Sequence, residues 1–203
     1  MRAVITERDV PATGKLRVAR GTIFTPSARD LAIERGVEII EMAAEDVPGI
    51  SDPNRIVAIG ADHGGFEMKE ELKPIFEEMG LVSRDVGVFE PKSVDYPDIA
   101  RQVAELVVAG VASRGVIIDG AGIGSAMVAN KFPGIRAALC YDKASARNSR
   151  EHNDSNVLTL GGRLLTPSVA ADVLRLWLAT PFGGGRHAAR IQKITDIEKA
   201  HLK

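Results

Sequence analysis

The chain has 203 residues, 45% of them hydrophobic, and a formal net charge of −1. This charge gives no electrostatic basis for binding nucleic acid or an anionic membrane surface. No apolar stretch approaches the ~20 residues that cross a bilayer, and charges occupy the start of the chain, where a secretory signal needs apolar residues. We therefore expect a cytoplasmic protein without nucleic acid or membrane as a partner.

The single cysteine, Cys140, excludes an internal disulfide. It closes the apolar run at residues 137–139, and we therefore predict a core residue, not a nucleophile.

The first ~50 residues are expected to form a unit of their own, because residues 43–54 are acidic, contain Gly and Pro, and precede a restart of the patterning. We divide the chain into residues 1–50 and 51–203. Within the first part, Thr25 and Pro26 predict a helix start, Gly36 its end, and Val37–Met42 a strand. A unit this small buries little surface, so it either docks on another surface or is structural decoration.

Short β-rich runs alternate with longer amphipathic segments from residue 55 onward. This alternation is typical of βαβ units and of a parallel sheet covered on both faces. The predicted strands are Arg55–Gly60, Val82–Val86, Gly115–Asp119, Arg136–Cys140 and Asn156–Leu160. Helical stripes are formed by Met68, Leu72, Ile75, Phe76 and Met79, by Ile99, Val103, Leu106 and Val107, by Val169, Val173, Leu176 and Trp177, and by Ile191, Ile194, Ile197 and Leu202.

Proline and threonine positions refine these helices. Pro74 lies inside the first stripe and is expected to bend or break that helix. Thr166 and Pro167 predict the N-cap and first residue of the third. The last stripe predicts a terminal helix that packs on this domain or on a partner.

Two glycine-rich loops follow predicted strands. Residues 115–131 read GVIIDGAGIGSAMVANK, in which Asp119 is followed by Gly120, Gly122 and Gly124. Glycines allow backbone N–H groups to approach a ligand, and the following helix start favours an anion. The loop IGADHGG likewise places glycines between a predicted strand and a helix, and it adds Asp62 and His63. The pattern predicts a phosphate- or sugar-sized site, although plain strand-to-helix turns would use the same glycines.

The glycine spacing does not fit the dinucleotide fingerprint, whose third glycine comes later. A nucleotide cofactor is therefore not expected, although a nucleotide-dependent α/β oxidoreductase shares the sheet pattern.

Three polar clusters could add chemistry to these loops: residues 93–97, 147–154 and 183–190. The first places Tyr96 and an acid before a helix, which is also a common cap. The last sets Arg186 and Arg190 four residues apart, on one helical face that suits a phosphate. A solvated helix start would look the same.

Residues 55–203 resemble the type B ribose-5-phosphate isomerases and their galactose-6-phosphate isomerase relatives. Five blocks carry the resemblance, in order: GADHGGFEMK, DYP, GAGIGSAMVANKFPGIRAAL, SREHNDSNVLTLGGR and GGGRHAARI. The resemblance implies a three-layer αβα, Rossmann-like fold with a five-stranded parallel sheet. It also implies a homodimer, or a dimer of dimers, with active sites between subunits, and an aldose–ketose isomerase that uses no metal or cofactor.

The resemblance also implies roles for individual residues. His152 would assist ring opening, and Asp62 would orient hydroxyls. The phosphate would be surrounded by His63, Arg163, Arg186 and Arg190. Tyr96 and Asn153 would contact the sugar. Backbone N–H groups of Gly120–Gly124 would stabilise the developing oxyanion. The substrate would be bound by this loop as a whole, that is by Gly120, Ala121, Gly122, Gly124 and Ser125.

The chain departs from the family at the base that transfers the proton. That base is a cysteine where this chain has Asp119, or a glutamate where it has Ser125, and the hydroxyl residue usual at position 121 is an alanine. We predict that Asp119 is the base. The departure also fits a different sugar phosphate, or a member that binds its ligand without turnover.

Residues 1–50 lie outside the isomerase resemblance. Their ITERDV and GKLRVARGTIFTPSARDLAIERGVEI segments are similar to short segments on enzymes of bacterial microcompartments. This similarity implies a docking module for a shell protein, and hence a location inside such a compartment.

The sequence of residues 55–203 thus predicts an isomerase of pentose or hexose phosphates, with ribose 5-phosphate as the first substrate to test.

Overall fold

The computed structural model describes residues 4–19, 21–42 and 53–201. The chain divides into two compact units, residues 1–52 and 53–203. Most of the acidic segment predicted as a linker, residues 43–52, lies outside the described residues.

The N-terminal unit consists of short parallel strand pairs and one helix. Its elements are β1 (Val4–Ile5), β2 (Lys15–Ala19), β3 (Ile23–Phe24), α1 (Pro26–Glu34) and β4 (Glu38–Met42). Strand β1 pairs with β3, and β2 with β4. The Thr25 hydroxyl accepts a hydrogen bond from the Ala28 N–H at 3.2 Å, and Gly36 has a φ of +63°. The predicted helix limits and the strand after them are confirmed.

A small apolar core of its own lies inside this unit. It comprises Ile5, Val10, Val18, Ala28, Ala32 and Val37.

The second unit is an α/β fold around a five-stranded parallel sheet with the order β6-β5-β7-β9-β8. Its strands are β5 (Ile56–Ala61), β6 (Val82–Asp85), β7 (Arg114–Asp119), β8 (Ala137–Leu139) and β9 (Val157–Gly161). Its helices are α2 (Phe66–Glu78), α3 (Tyr96–Val108), α4 (Ile123–Ala129), α5 (Lys143–Glu151), α6 (Pro167–Ala179) and α7 (Arg186–His201). The five predicted strands and the fold class are confirmed.

Apolar side chains fill both faces of this sheet, because neighbouring residues of each strand point to opposite sides. Val57 and Ile59 of β5 pack with residues of α2, α5 and α6, whereas Ala58 packs with residues of α3 and α4. Cys140 is fully buried, and this burial raises the pKa of its thiol. The prediction of a core cysteine is confirmed.

Two helices bear on the sequence-based expectations. Helix α2 continues through Pro74, so the proline does not break it; the buried side chains on either side, Leu72 and Ile75, stay in one stripe. In α7, Ile194 and Ile197 are 49% and 63% exposed, so the described part of the chain leaves the apolar side of this helix largely uncovered. Among the described residues, every helix is too short or too polar to cross a membrane.

Candidate active site

The candidate site lies where the strand order changes direction. From β5 the chain moves to β6 on one side of it and then to β7 on the other. In open α/β sheets, ligands bind in the crevice at the carboxyl ends of the strands at such a switch point. Both predicted glycine loops are there, since Asp62 follows β5 and Asp119 ends β7. A third loop, Gly162 and Arg163, follows the adjacent strand β9.

The backbones of the three loops are in direct contact at glycines, where no side chain separates them. A Cβ built on Gly65 would lie 2.3 Å from the Ile118 carbonyl oxygen, and one on Gly162 would lie 2.5 Å from the Gly64 oxygen. A Cβ on Gly161 would lie 2.8 Å from the Ala121 oxygen. Any side chain at these positions would push the loops apart, so the glycines are needed for the loops to converge.

The Asp62 carboxylate accepts hydrogen bonds from the backbone of its own loop. It is 7% exposed, and its Oδ1 accepts hydrogen bonds from the N–H groups of Gly64 at 2.8 Å and Gly65 at 3.1 Å. No donor among the described residues bonds to Oδ2, so that oxygen is available to a hydroxyl of a ligand. The next residue, His63, is exposed.

Asp119 is turned into the glycine loop that follows it. It is 5% exposed, and its Oδ1 accepts hydrogen bonds from Ala121 N–H at 2.8 Å and from Gly122 N–H. Its Oδ2 accepts one from Ser125 N–H at 3.0 Å. A carboxylate has about four acceptor positions, so one lone pair on Oδ2 remains. Two of the N–H groups that the sequence assigns to a developing oxyanion therefore already bind the chain's own carboxylate.

Tyr96 and Arg163 border the glycine loop. A Cβ on Gly124 would lie 2.5 Å from the Tyr96 ring, and one on Gly120 would lie 3.6 Å from Cδ of Arg163. Tyr96 is 39% exposed, and Arg163 is exposed. Ser125 is fully buried, its N–H is bonded to Asp119, and its hydroxyl has no hydrogen-bond partner among the described residues.

Tyr141 also reaches this loop, and the sequence reasoning missed it. Its hydroxyl donates a hydrogen bond to the Ala121 carbonyl oxygen at 3.1 Å. The available signal was its position just after β8, at the same edge of the sheet as the other loops.

The remaining predicted residues form a second group where α5 ends and α7 begins. His152 caps α5, and Asn153 follows it. Arg186 and Arg190 are exposed on the first turns of α7. The Gly183 N–H donates to the Glu151 carbonyl oxygen at 2.8 Å, which ties the loop before α7 to the end of α5.

A second imidazole, absent from the predicted site, stacks on His152. The rings of His152 and His187 are 4.2 Å apart at their centroids and 7° from parallel. Burial, followed by the charges of His152, Arg186 and Arg190, lowers the pKa of His187. The lowered pKa favours the neutral form of the His187 ring.

The two groups are separate within one chain. Among residues 4–19, 21–42 and 53–201, no hydrogen bond, ion pair or ring contact joins the Asp62 and Asp119 loops to the His152 group. The same residues contain no cluster of three His, Cys, Asp or Glu side chains that could hold a metal ion. One copy thus brings together the two acidic loops, Tyr96 and Arg163, but not the second group.

Comparisons with known proteins agree with this architecture. The family model described as Ribose/Galactose Isomerase matches residues 57–194. The putative sugar phosphate isomerase YwlF of Bacillus subtilis is 47% identical over 72% of this chain and 99% of its own length. Ribose-5-phosphate isomerase B of Escherichia coli is 41% identical over 70% and 96%.

A further relative and a solved structure widen the comparison. D-erythrulose-4-phosphate isomerase of Pectobacterium atrosepticum is 36% identical over 70% of this chain and 94% of its own length. The structure of Clostridium thermocellum ribose-5-phosphate isomerase B has a TM-score of 0.71 and 46% identity, covering 72% of this chain and 99% of that one. The microcompartment resemblance of residues 1–50 receives no support from these comparisons. Residues 57–194 contain both acidic loops and the whole second group, and the chain belongs to the ribose/galactose isomerase family.

Proposed function

We propose that this isomerase interconverts ribose 5-phosphate and ribulose 5-phosphate. The observation that carries the proposal is the convergence of the Asp62, Asp119 and Arg163 loops at the switch point of the sheet. Two carboxylates next to an exposed guanidinium suit a polyol with an anionic end. The names of the relatives from E. coli and C. thermocellum support the substrate.

The reaction has three tasks: opening the sugar ring, holding the phosphate, and moving a proton between C1 and C2. The proposal assigns residues to each of them. His152 assists ring opening, and Asp62 orients hydroxyls through its free Oδ2. His63, Arg163, Arg186 and Arg190 bind the phosphate, because guanidinium groups bind phosphate oxygens in a bidentate manner. Tyr96 and Asn153 contact the sugar. Asp119 moves the proton between C1 and C2.

The contacts of Asp119 suggest how one loop serves both the base and the oxyanion. When the C2–H bond breaks, the proton goes to Oδ2 and the electron pair forms the enediolate, whose oxygen becomes negative. The negative charge thus leaves the carboxylate and arrives on the substrate. The N–H groups of Ala121 and Gly122 then bind a neutral acid, and hydrogen bonds to neutral acceptors are weaker. These donors become available to the enediolate oxygen.

A substrate panel tests the function. Ribose 5-phosphate is expected to give the highest kcat/KM among pentose, hexose and tetrose phosphates assayed for aldose–ketose conversion. The relative named D-erythrulose-4-phosphate isomerase makes a tetrose phosphate the second candidate. Highest kcat/KM on another sugar would overturn the substrate assignment. Binding of ribose 5-phosphate in calorimetry without turnover of any sugar would overturn the catalytic assignment.

We further propose that the chain acts as a homodimer, in which the His152 group of one copy completes the Asp119 loop of the other. The separation of the two groups within one chain supports this arrangement, as does the uncovered apolar side of α7. Each of the variants Asp119→Asn and His152→Asn is expected to be nearly inactive alone. Refolded together, they should regain up to about a quarter of the original activity, because each mixed dimer holds one intact site. A mixture that stays inactive would place the whole site within one copy.

For residues 1–50 we propose a docking role toward a microcompartment shell protein. The supporting observations are the resemblance of the ITERDV segment and the separate apolar core of this unit. The side chains of this core pack against one another within the unit.

A further inference from the structure

A chain of amide hydrogen bonds ends on the ring of His152. The Asn153 side-chain nitrogen, Nδ2, donates to the backbone carbonyl oxygen of Asn148 at 3.3 Å and to Oδ1 of Asn148 at 3.3 Å. A backbone carbonyl only accepts hydrogen bonds, so this contact fixes which end of the Asn153 amide faces Asn148. Asn148 must therefore turn its own oxygen toward Asn153.

The orientation of the Asn148 amide determines which of its groups faces Nδ1 of His152. With Oδ1 facing Asn153, the Nδ2 group of Asn148 faces Nδ1 of His152 at 2.9 Å. An amide NH₂ can only donate, so Nδ1 of the ring must accept. In a neutral imidazole one nitrogen accepts and the other carries the proton, which places the hydrogen of His152 on Nε2.

We infer that Asn148 is a positioning residue that holds His152 in the Nε2–H tautomer, so that His152 meets the sugar as a hydrogen-bond donor and not as a base. The assignment of the sugar as the partner rests on the proposed function. The tautomer itself rests only on the amide contacts.

The surroundings of His152 restrict its ring in two further ways. His187 lies parallel to the ring and covers one face. Asn148 is one helical turn before His152, and the His152 N–H donates to the Asn148 carbonyl oxygen at 3.0 Å, so the backbone spacing between the two residues is fixed. Stacking on His187 fixes the plane of the His152 ring, and the Asn148 amide fixes the direction of Nδ1 within that plane. Nε2–H is then the polar group of the ring that remains free.

A donor at Nε2 suits ring opening. When a cyclic sugar opens, the ring oxygen gains electron density as its bond to the anomeric carbon breaks, and a hydrogen bond from Nε2–H stabilises that density. The reverse tautomer would present a lone pair to the same oxygen and repel it. The anomeric hydroxyl gives its proton to a carboxylate, its O–H electron pair forms the new carbonyl, and that proton completes the hydroxyl at the former ring oxygen. His152 donates a hydrogen bond throughout, so His152 and the carboxylates have different tasks.

The tautomer can be read directly by NMR. The full chain labelled with ¹⁵N-histidine has four histidines, and long-range ¹H–¹⁵N correlation spectra distinguish Nε2–H from Nδ1–H in each ring. Loss of one set of signals in His152→Gln identifies that residue. We expect the Nε2–H pattern for His152 at a pH where the ring is neutral. An Nδ1–H pattern would overturn the inference, and this readout does not depend on whether ribose 5-phosphate is the substrate.

Two variants at position 148 separate positioning from packing. Asn148 is exposed, so Asn148→Asp and Asn148→Leu should both fold. A carboxylate only accepts, so Asn148→Asp is expected to reverse the tautomer to Nδ1–H and to lower kcat by at least ~10-fold with little change in KM. Asn148→Leu removes the donor without imposing the opposite tautomer. Its kcat should therefore lie between that of the unsubstituted protein and that of Asn148→Asp. An unchanged tautomer in Asn148→Asp, or a reversed tautomer with unchanged kcat, would refute the inference.

Discussion

Asp119→Asn is expected to lower kcat on ribose 5-phosphate by about 10²–10⁴-fold, the usual contribution of a positioned general base. An amide cannot accept the proton from C2, whereas its size matches that of the carboxylate. KM should change less than kcat, because the groups assigned to the phosphate are untouched. Initial rates over a range of substrate concentrations measure both constants.

The three N–H groups that bind Asp119 require a control, because asparagine offers only one acceptor oxygen to them. A backbone N–H left without a partner costs about 1–3 kcal/mol, so the loop could be disturbed without any loss of a base. Asp119→Cys provides the comparison. A thiolate is a base and resembles the family's residue at this position, but it cannot replace the three acceptor contacts.

The two variants therefore separate the roles of Asp119. If its task is proton transfer, Asp119→Cys should retain more activity than Asp119→Asn, although its loop contacts are poorer. If its task is to hold the loop, Asp119→Cys should be the more damaged of the two. Full turnover in Asp119→Asn would also end the assignment of a base at this position.

Lys69→Met is expected to destabilise the isomerase unit by about 3–5 kcal/mol, the usual cost of breaking a buried ion pair by removing one partner. Lys69 is fully buried. Its Nζ donates to both carboxylate oxygens of Asp85 at 2.8 Å and to the Val88 carbonyl oxygen at 2.7 Å. Methionine fills a similar volume, so the loss reflects the missing buried cation: Asp85 keeps only Lys73 and the Gly87 N–H, and the Val88 carbonyl loses the Lys69 donor.

Lys73→Met is the matched control on the same helix. Its Nζ lies 3.1 Å from Oδ2 of Asp85, but its side chain is 34% exposed, against 0% for Lys69. Water can replace an exposed cation, so this variant should lose less than about 1 kcal/mol. Equal losses in the two variants would show that burial does not set the strength of the contact.

Urea unfolding followed by tryptophan fluorescence measures both variants. Trp177 is the only tryptophan of the chain and is fully buried on α6, so the signal reports the isomerase unit alone. A change in the midpoint at constant slope gives the change in the free energy of unfolding.

The sequence was most informative where local chemistry decides the structure. Thr25 and Thr166 cap helices as predicted, because an N-cap needs only a side-chain oxygen and the N–H three residues on. The five strands of the sheet followed from short apolar runs between amphipathic segments. Pro74 was the exception: a proline inside a helix predicts a bend or a break, and α2 runs through it without a break, with buried side chains on both sides.

The candidate site was predictable as a set of positions. Asp62 and Asp119 stand at strand ends beside glycines, and parallel strands present their carboxyl ends at one edge of a sheet. Tyr141 follows β8 at the same edge, and Asn148 lies one helical turn before His152, whereas His187 gave no comparable signal. The stacking of His187 on His152 depends on the approach of two helices, which no spacing in the sequence specifies.

The amino-acid sequence by itself determined the alternation of strands and helices, the glycine loops and the acids next to them, because these depend on periodicity and on the conformational freedom of single residues. Only the tertiary structure decided which atoms pair: that the Asp119 carboxylate binds its own loop, that Lys69 is buried against Asp85, and that the His152 group is separate from the acidic loops. Hydrogen bonds and ion pairs need partners within about 3 Å, and that distance is set by packing across the sheet and not by position along the chain.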